Sequence, residues 1–302
     1  MEKGISPQKL HGVYAKMVAV SVLWGGTFVA GRFLAGDLPP LLLASLRFLL
    51  ASITLGLYLF AAKVALVLPE RKQLFQLAVL GFFGIFAYNI FFFYGLTYTT
   101  ASRASLVVTL NPAMIALAGW FFFKEPLELV QKIGISMCIV GAGLVIVSQS
   151  EPDMFLQAGG ISGDSIILGC VASWTVYSVY SRNLSKSLGA LLTVCYSIWF
   201  GTLILCVAAA CLLPKENFAA VANLSLPGWA ALAYLGVVGS AIAYVWYYDA
   251  IRWIGATRSG VFIALNPLSA VLFGVLLFGE SIGPLVGLGG VLAVTGIYLN
   301  NK

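Results

Sequence analysis

Long apolar stretches, each close to the length of a bilayer crossing, follow one another along this chain with little between them. They fall near residues 12–34, 40–62, 73–95, 102–123, 127–148, 162–182, 189–212, 227–250, 257–278 and 284–300. About 20 apolar residues make a helix that crosses the hydrocarbon core, so 302 residues hold ten crossings with short loops. Only 9% of the residues are charged and 61% are hydrophobic, against roughly 25% charged in soluble domains. A cytosolic enzyme, a secreted disulfide scaffold and a disordered regulator are all poor fits. The fold class expected is an all-α integral membrane protein.

Proline punctuates the spans. Pro39-Pro40, Pro69, Pro126, Pro152, Pro214, Pro227 and Pro284 lie at span starts or in loops, where a missing N–H costs little. Pro112 and Pro267 fall inside spans.

The net charge of +6 would suggest nucleic acid in a soluble protein. Here the cations flank apolar spans and set orientation instead, so no nucleic-acid partner is expected. Ten crossings put both termini on one side. With the termini inside, Lys3, Lys9, Lys16, Lys63, Arg71, Lys72, Lys124, Lys132, Arg182, Lys186, Arg252, Arg258 and Lys302 are cytoplasmic. Only Arg32, Arg103 and Lys215 lie outside, and the loop with Glu151, Asp153 and Asp164 carries no cation. Cytoplasmic termini are therefore expected. No secretory signal peptide is evident, because the first apolar stretch is too long and further spans follow.

Cys138, Cys170, Cys195, Cys206 and Cys211 all sit in apolar stretches without a CxxC pair, and the single histidine, His11, precedes the first span. That pattern argues against a disulfide framework, a metal site or a cofactor. An intramembrane enzyme would need a nucleophile–base pair or metal ligands at depth, and neither is present.

The sequence repeats itself. At a shift of 155, Leu80, Gly81 and Gly84 meet Leu235, Gly236 and Gly239. Arg103 meets Arg258, Leu110-Asn111-Pro112 meets Leu265-Asn266-Pro267, and Glu125 meets Glu280. At a shift of 150, Trp24 meets Trp174 and Arg32 meets Arg182. The expected organisation is a five-helix repeat over residues 1–150 and a second over 151–302. Five is odd, so the ten transmembrane helices form two inverted repeats, an arrangement that offers two related ways to close one central site.

With Trp24-Gly25-Gly26-Thr27-Phe28 in span one, an Asn-Pro element in spans four and nine, and Phe278-Gly279-Glu280 before a glycine-rich last helix, the chain resembles the EamA-type transporters of the drug/metabolite transporter superfamily. In Phe123-Lys124-Glu125 a lysine replaces the usual small residue. The resemblance implies export or exchange of small metabolites, amino acids among them, across a bacterial inner membrane. It leaves the YddG-like aromatic amino-acid exporters open as one sub-family.

Candidate substrate contacts come from the repeated Asn-Pro and Trp elements and from the aromatic spans three and eight. Asn111-Pro112 and Asn266-Pro267 read as hinges, where proline frees a carbonyl and the asparagine meets the cargo, or as static kinks satisfied by neighbouring helices. Trp24, Thr27, Phe28 and Gly31 share one face of span one, as Trp174, Tyr177, Ser178 and Ser181 share one face of span six. Either face suits a cavity wall for an apolar body with polar ends, or plain helix packing. Tyr88, Asn89 and Tyr244 are favoured as lining, with Thr109 a weaker candidate. Arg47 lies inside span two, where a charge is costly. It either neutralises a substrate carboxylate, snorkels, or pairs with a loop acid such as Asp37, and pairing is the favoured reading. Arg103 and Arg258 read as interface anchors or gate contacts, anchoring favoured. Glu125 and Glu280 read as acids at the start of the next helix. Gly134, Gly141, Gly143, Gly283, Gly287, Gly289, Gly290 and Gly296 read as close-packing faces.

No Asp or Glu lies deep in any span, and Asp249 is the nearest. Proton pumps place such groups within the membrane, so facilitated or exchange transport by alternating access is expected. Aromatic walls favour an aromatic or apolar amino acid; a channel-like facilitator, or a carrier of another metabolite or drug, is the alternative. Nothing in the sequence chooses between monomer and homodimer.

Overall fold

The computed structural model describes residues 7–124, 126–147, 163–263 and 265–300. Among these, regular structure is entirely helical. The helices are α1 (Pro7–Leu34), α2 (Pro40–Ala61), α3 (Arg71–Leu80), α4 (Tyr88–Thr97), α5 (Ala101–Val108), α6 (Leu110–Phe123), α7 (Leu129–Val147), α8 (Gly163–Leu188), α9 (Ala190–Leu212), α10 (Lys215–Ala222), α11 (Leu226–Ala233), α12 (Ala243–Ile263), α13 (Leu265–Phe278) and α14 (Pro284–Asn300). Wide π-helical segments, Gly81–Ala87 and Tyr234–Ile242, join α3 to α4 and α11 to α12.

Among the described residues, seven stretches are long and apolar enough to cross a membrane by length and composition: Leu10–Leu34, Pro40–Ala61, Arg71–Thr97, Ala101–Phe122, Leu129–Val147, Ala190–Leu212 and Leu226–Tyr247. Leu265–Phe278 and Pro284–Leu299 are apolar but shorter, and α8 is long but carries more polar residues. The outward surface is apolar, with Phe60, Leu57, Trp120, Phe122 and Leu276 all exposed, as a protein solvated by lipid requires.

The expected punctuation holds. Pro40 and Pro284 open α2 and α14, Pro214 precedes α10, and Pro227 lies in the first turn of α11. One boundary differs: helix continues past residue 250 to Ile263, where a loop was expected. Residues 251–256 contain no proline and a single glycine, and nothing there forces an end.

The most extensive helix contacts join an element before residue 148 to one after residue 162. In the pairing of α7 with α14, a Cβ on Gly141 would sit 2.5 Å from the Gly289 carbonyl oxygen, and one on Gly289 2.6 Å from that of Gly141. Gly296 abuts Gly134 and Cys138 in the same way. Only glycine permits such backbone contact. Gly143 and Gly283 face open space, so the close-packing face is narrower than the glycine pattern suggested.

Further cross-contacts recur at matched positions. Gly81 faces Ser197 and Gly201, and Gly236 faces Arg47 and Leu50. Gly84 lies against the Tyr177 ring and Gly239 against the Thr27 methyl. Ser45 donates to the Leu205 carbonyl, and Ser52 bonds Thr202.

Charged residues are settled at the two ends. At one, Lys16 pairs with Asp249 at 3.0 Å, Tyr196 donates to the Val67 carbonyl, and Gln73 donates to Ser187. At the other, Arg103 forms a buried ion pair with Asp164, which also accepts from Thr99. Arg103 is thus no lipid-interface anchor: its guanidinium closes on a carboxylate that α8 brings over it. The Arg258 side chain, Glu125 and residues 148–162 lie outside the described residues. Glu280 caps a helix, but not the one that follows it. Its carboxylate accepts from the Ala101 and Ser102 amides, at 3.0 and 3.1 Å, at the start of α5, because those free N–H groups are aimed at it. Arg32 donates to the Leu96 and Thr97 carbonyls nearby.

Candidate functional site

The two wide segments set the site. A π turn bonds each N–H to the carbonyl five residues back and carries an extra residue per turn. It loosens the carbonyl ladder and re-aims the side chains that follow. Tyr88 and Asn89 emerge just after the first segment, and Tyr244 just after the second. The Gly239 carbonyl, inside the second, accepts a 3.1 Å hydrogen bond from Trp24 Nε1.

Two aromatic groups result. The Trp24 ring lies 5.7 Å from Tyr244 and 5.1 Å from Tyr247. Trp174 lies 5.0 Å from Tyr177 and 5.6 Å from Tyr88, and Tyr88 stacks on Phe92 at 6.1 Å, which meets Phe28 at 5.2 Å. Edge and offset geometries of this kind add to the burial of each ring. Trp24 and Trp174, matched in sequence, therefore each meet a tyrosine from the opposite end of the chain.

Arg47 joins these groups. It is 7% exposed, and its Nε donates to Ser240 Oγ at 3.0 Å while Nη1 donates to Asn89 Oδ1 at 3.2 Å. Asn89 in turn donates to the Ile85 carbonyl, and Ser240 to that of Leu235. The guanidinium lies over Phe48 at 5.1 Å, with Phe92 and Phe93 at 5.8 and 5.9 Å. The expected partner, Asp37, does not pair with it: α2 turns Arg47 inward, toward the wide segments, while Asp37 lies in the turn before the helix begins.

The asparagines behave alike. Asn111 Oδ1 and Asn266 Oδ1 are both buried with no hydrogen-bond partner among the described residues. Asn111 follows the first residue of a fresh helical segment, α6. Pro112 thus sits in a first turn, after a break at Thr109, whose amide bonds the Leu106 carbonyl in a tight turn. The Thr109 hydroxyl bonds that same carbonyl, which leaves it no free donor. Thr27 likewise spends its hydroxyl on the Trp24 carbonyl at 2.6 Å.

Trp24, Tyr88, Asn89, Trp174, Tyr177 and Tyr244 are thus brought together. The Asn266 carbonyl lies against Gly25, beside Trp24, but no contact carries either asparagine side chain onto the rings. Ser178 is half-buried, and no hydrogen bond joins its side chain to them. Sequence reasoning passed over Ser240, Tyr247 and Phe92. Ser240 had a signal, a lone hydroxyl in the apolar run Gly236–Ile242; the rings were hidden among many aromatics. Among the described residues no group of His, Cys, Asp and Glu is placed to hold a metal ion.

The EamA-like transporter family description matches residues 13–147 and again 161–302. The chain belongs to this family. It is 27% identical over 285 residues to the uncharacterized transporter YyaM of Bacillus subtilis, covering 94% of this chain and 92% of that one. It is 26% identical over 294 residues to a probable terminal-alkyne amino-acid exporter of Streptantibioticus cattleyicolor, covering 97% and 95%. A protein of known crystal structure shares the fold, with a TM-score of 0.65 at 22% identity over 96% of this chain and 97% of that one. This EamA-family chain is a multi-pass membrane transporter.

Proposed function

We propose that the protein exports or exchanges a small metabolite, an amino acid with an aromatic or apolar side chain first among them, by alternating access through a central site. The observation that carries this reading is the bridge that Arg47 makes, through Asn89 and Ser240, between two aromatic groups. Ring walls beside a polar cluster suit a cargo with an apolar body and polar ends. The relative named as a probable amino-acid exporter supports the class.

The cycle rests on ten crossings in two inverted five-helix repeats, residues 1–150 and 151–302, with α8, α13 and α14 completing the count. One family description fitting both stretches supports the duplication. So do the matched contacts of Gly81 with Ser197 and of Gly236 with Arg47. Trp24, Thr27, Tyr88, Asn89, Thr109, Asn111, Trp174, Tyr177, Ser178, Tyr244 and Asn266 line the path, and the chain bends at Pro112 and Pro267. The unpartnered Asn111 and Asn266 oxygens favour groups awaiting a donor. Tight proton coupling is not part of the proposal, since Asp164 and Asp249 are paired with cations near helix ends. The termini face the cytoplasm of a bacterial inner membrane.

Reconstitution in liposomes with a screen of amino acids for efflux tests the reading. Trp24→Ala, Asn111→Ala and Trp174→Ala each lower the rate about tenfold or more, a loss of ~1.4 kcal/mol of transition-state binding, while the variants melt normally. Unchanged rates remove these residues from the path. Uptake that neither saturates nor shows trans-stimulation replaces the carrier with a channel.

A further inference from the structure

Among the described residues, Arg47 is a cation that no carboxylate faces. It lies about 10 Å down α2 from Pro40, at 1.5 Å per residue, in a helix long enough to span the bilayer. Lys16 pairs with Asp249 and Arg103 with Asp164, and no described carboxylate is placed on Arg47. Its hydrogen-bond partners, Asn89 and Ser240, are neutral, and the rings around it offer only their faces. A guanidinium has five N–H donors; Nε is used on Ser240 and one Nη1 hydrogen on Asn89. Neutral dipoles soften the cost of a charge at this depth but do not cancel it.

The surroundings say what completes the site. One guanidinium matches one negative charge in a planar, two-oxygen group. A phosphate ester would need several cations, and Arg47 is the only Lys or Arg in the middle of α2, α4, the wide segments or the start of α12. Phe92, beneath the guanidinium, stacks on Tyr88, which Trp174 meets in turn. An apolar body is thereby placed next to the anion-binding end.

We propose that Arg47 is a carboxylate subsite: it holds the carboxylate of the cargo and restricts transport to solutes that carry one. This rests on the proposed amino-acid transport but goes further, since it makes the carboxylate, rather than the amine, the required group. Asn89 and Ser240 act as positioning residues that fix the plane of the guanidinium.

The test is binding to the full chain in nanodiscs, read by tryptophan fluorescence. The probes are L-tryptophan, L-tryptophan methyl ester, indole-3-propionate and tryptamine, with L-leucine and L-leucine methyl ester as a second acid–ester pair. Acids bind about tenfold or more tightly than their partners without a carboxylate, tenfold being ~1.4 kcal/mol. Arg47→Gln removes that preference by weakening the acids alone, and Arg47→Lys keeps part of it. If Arg47→Gln does not fold, the acid–ester comparison on the unaltered protein decides. Esters or tryptamine binding as well as the acids overturn the proposal, as does a preference that survives Arg47→Gln or an absence of any acid preference. Arg47-dependent binding of indole-3-propionate without amino-acid efflux sinks the amino-acid reading and leaves the subsite standing. Efflux of amino acids indifferent to Arg47→Gln does the reverse.

Discussion

The hydroxyl groups of Ser52 and Thr202 lie 2.8 Å apart where α2 packs against α9. The two residues stand 150 positions apart, the same offset that relates Trp24 to Trp174. A residue touches its own counterpart only beside an axis that relates them. The contact is the kind that the proposed two-fold relation between the halves calls for beside its axis.

With the five native cysteines replaced, Ser52→Cys together with Thr202→Cys closes a disulfide on mild oxidation, because disulfides need side chains this near. Reducing and non-reducing gels after cleavage between the two halves read the result. Fragments that separate without reductant would show that α2 and α9 do not meet at this level.

Asp164 is fully buried, and Arg103 is its counter-ion. Arg103→Ala strands that carboxylate and costs about 3–5 kcal/mol, enough to lower yield and melting temperature sharply. Arg103→Leu with Asp164→Leu recovers much of the loss, since a matched apolar pair removes both charges. An Arg103→Ala protein that melts like the parent would mean the pair contributes nothing.

Lys124 ends α6 in the left-handed region, with φ 58°, and Gly279 ends α13 with φ 63°. The conformation costs an ordinary residue about 1–2 kcal/mol, part of which glycine gives back in the unfolded chain. Lys124→Gly thus raises stability by up to about 1 kcal/mol. Thermal melts in detergent show a small upward shift; a downward one would mean the lysine side chain makes a contact worth more than the strain.

Lys186 and Lys215 flank α9 at opposite ends. Cysteines placed at these positions label from opposite faces of right-side-out vesicles, Lys215→Cys from outside and Lys186→Cys only after permeabilisation. Labelling of both from one face contradicts the inverted arrangement and the cytoplasmic termini together.

Much of this was legible in the sequence because it depends on local composition. Apolar length placed the helices, prolines placed their starts, and the matched pair Trp24 and Trp174, with the aromatics of spans three and eight, pointed to residues that the fold brings together. What was hidden depends on contacts between distant segments. Asp164 reads as a loop acid until α8 lays it over Arg103, and Glu280 caps a helix nearly 180 residues earlier in the chain. The wide turns have no marker beyond Gly81, Gly84, Gly236 and Gly239, since a π segment answers to packing rather than to residue type. Arg47 was visible as an oddity, but its neutral partners follow only from how those turns aim Asn89 and Ser240.

The ion pairs Lys16–Asp249 and Arg103–Asp164 are unequal. Lys16 and Asp249 remain 44% and 36% exposed, whereas Arg103 and Asp164 are 9% and 0% exposed. A wet pair is worth about 0–1 kcal/mol and parts readily, while a dry one resists separation. Within the proposed cycle, the end held by Lys16 and Asp249 therefore parts at lower cost than the end held by Arg103 and Asp164.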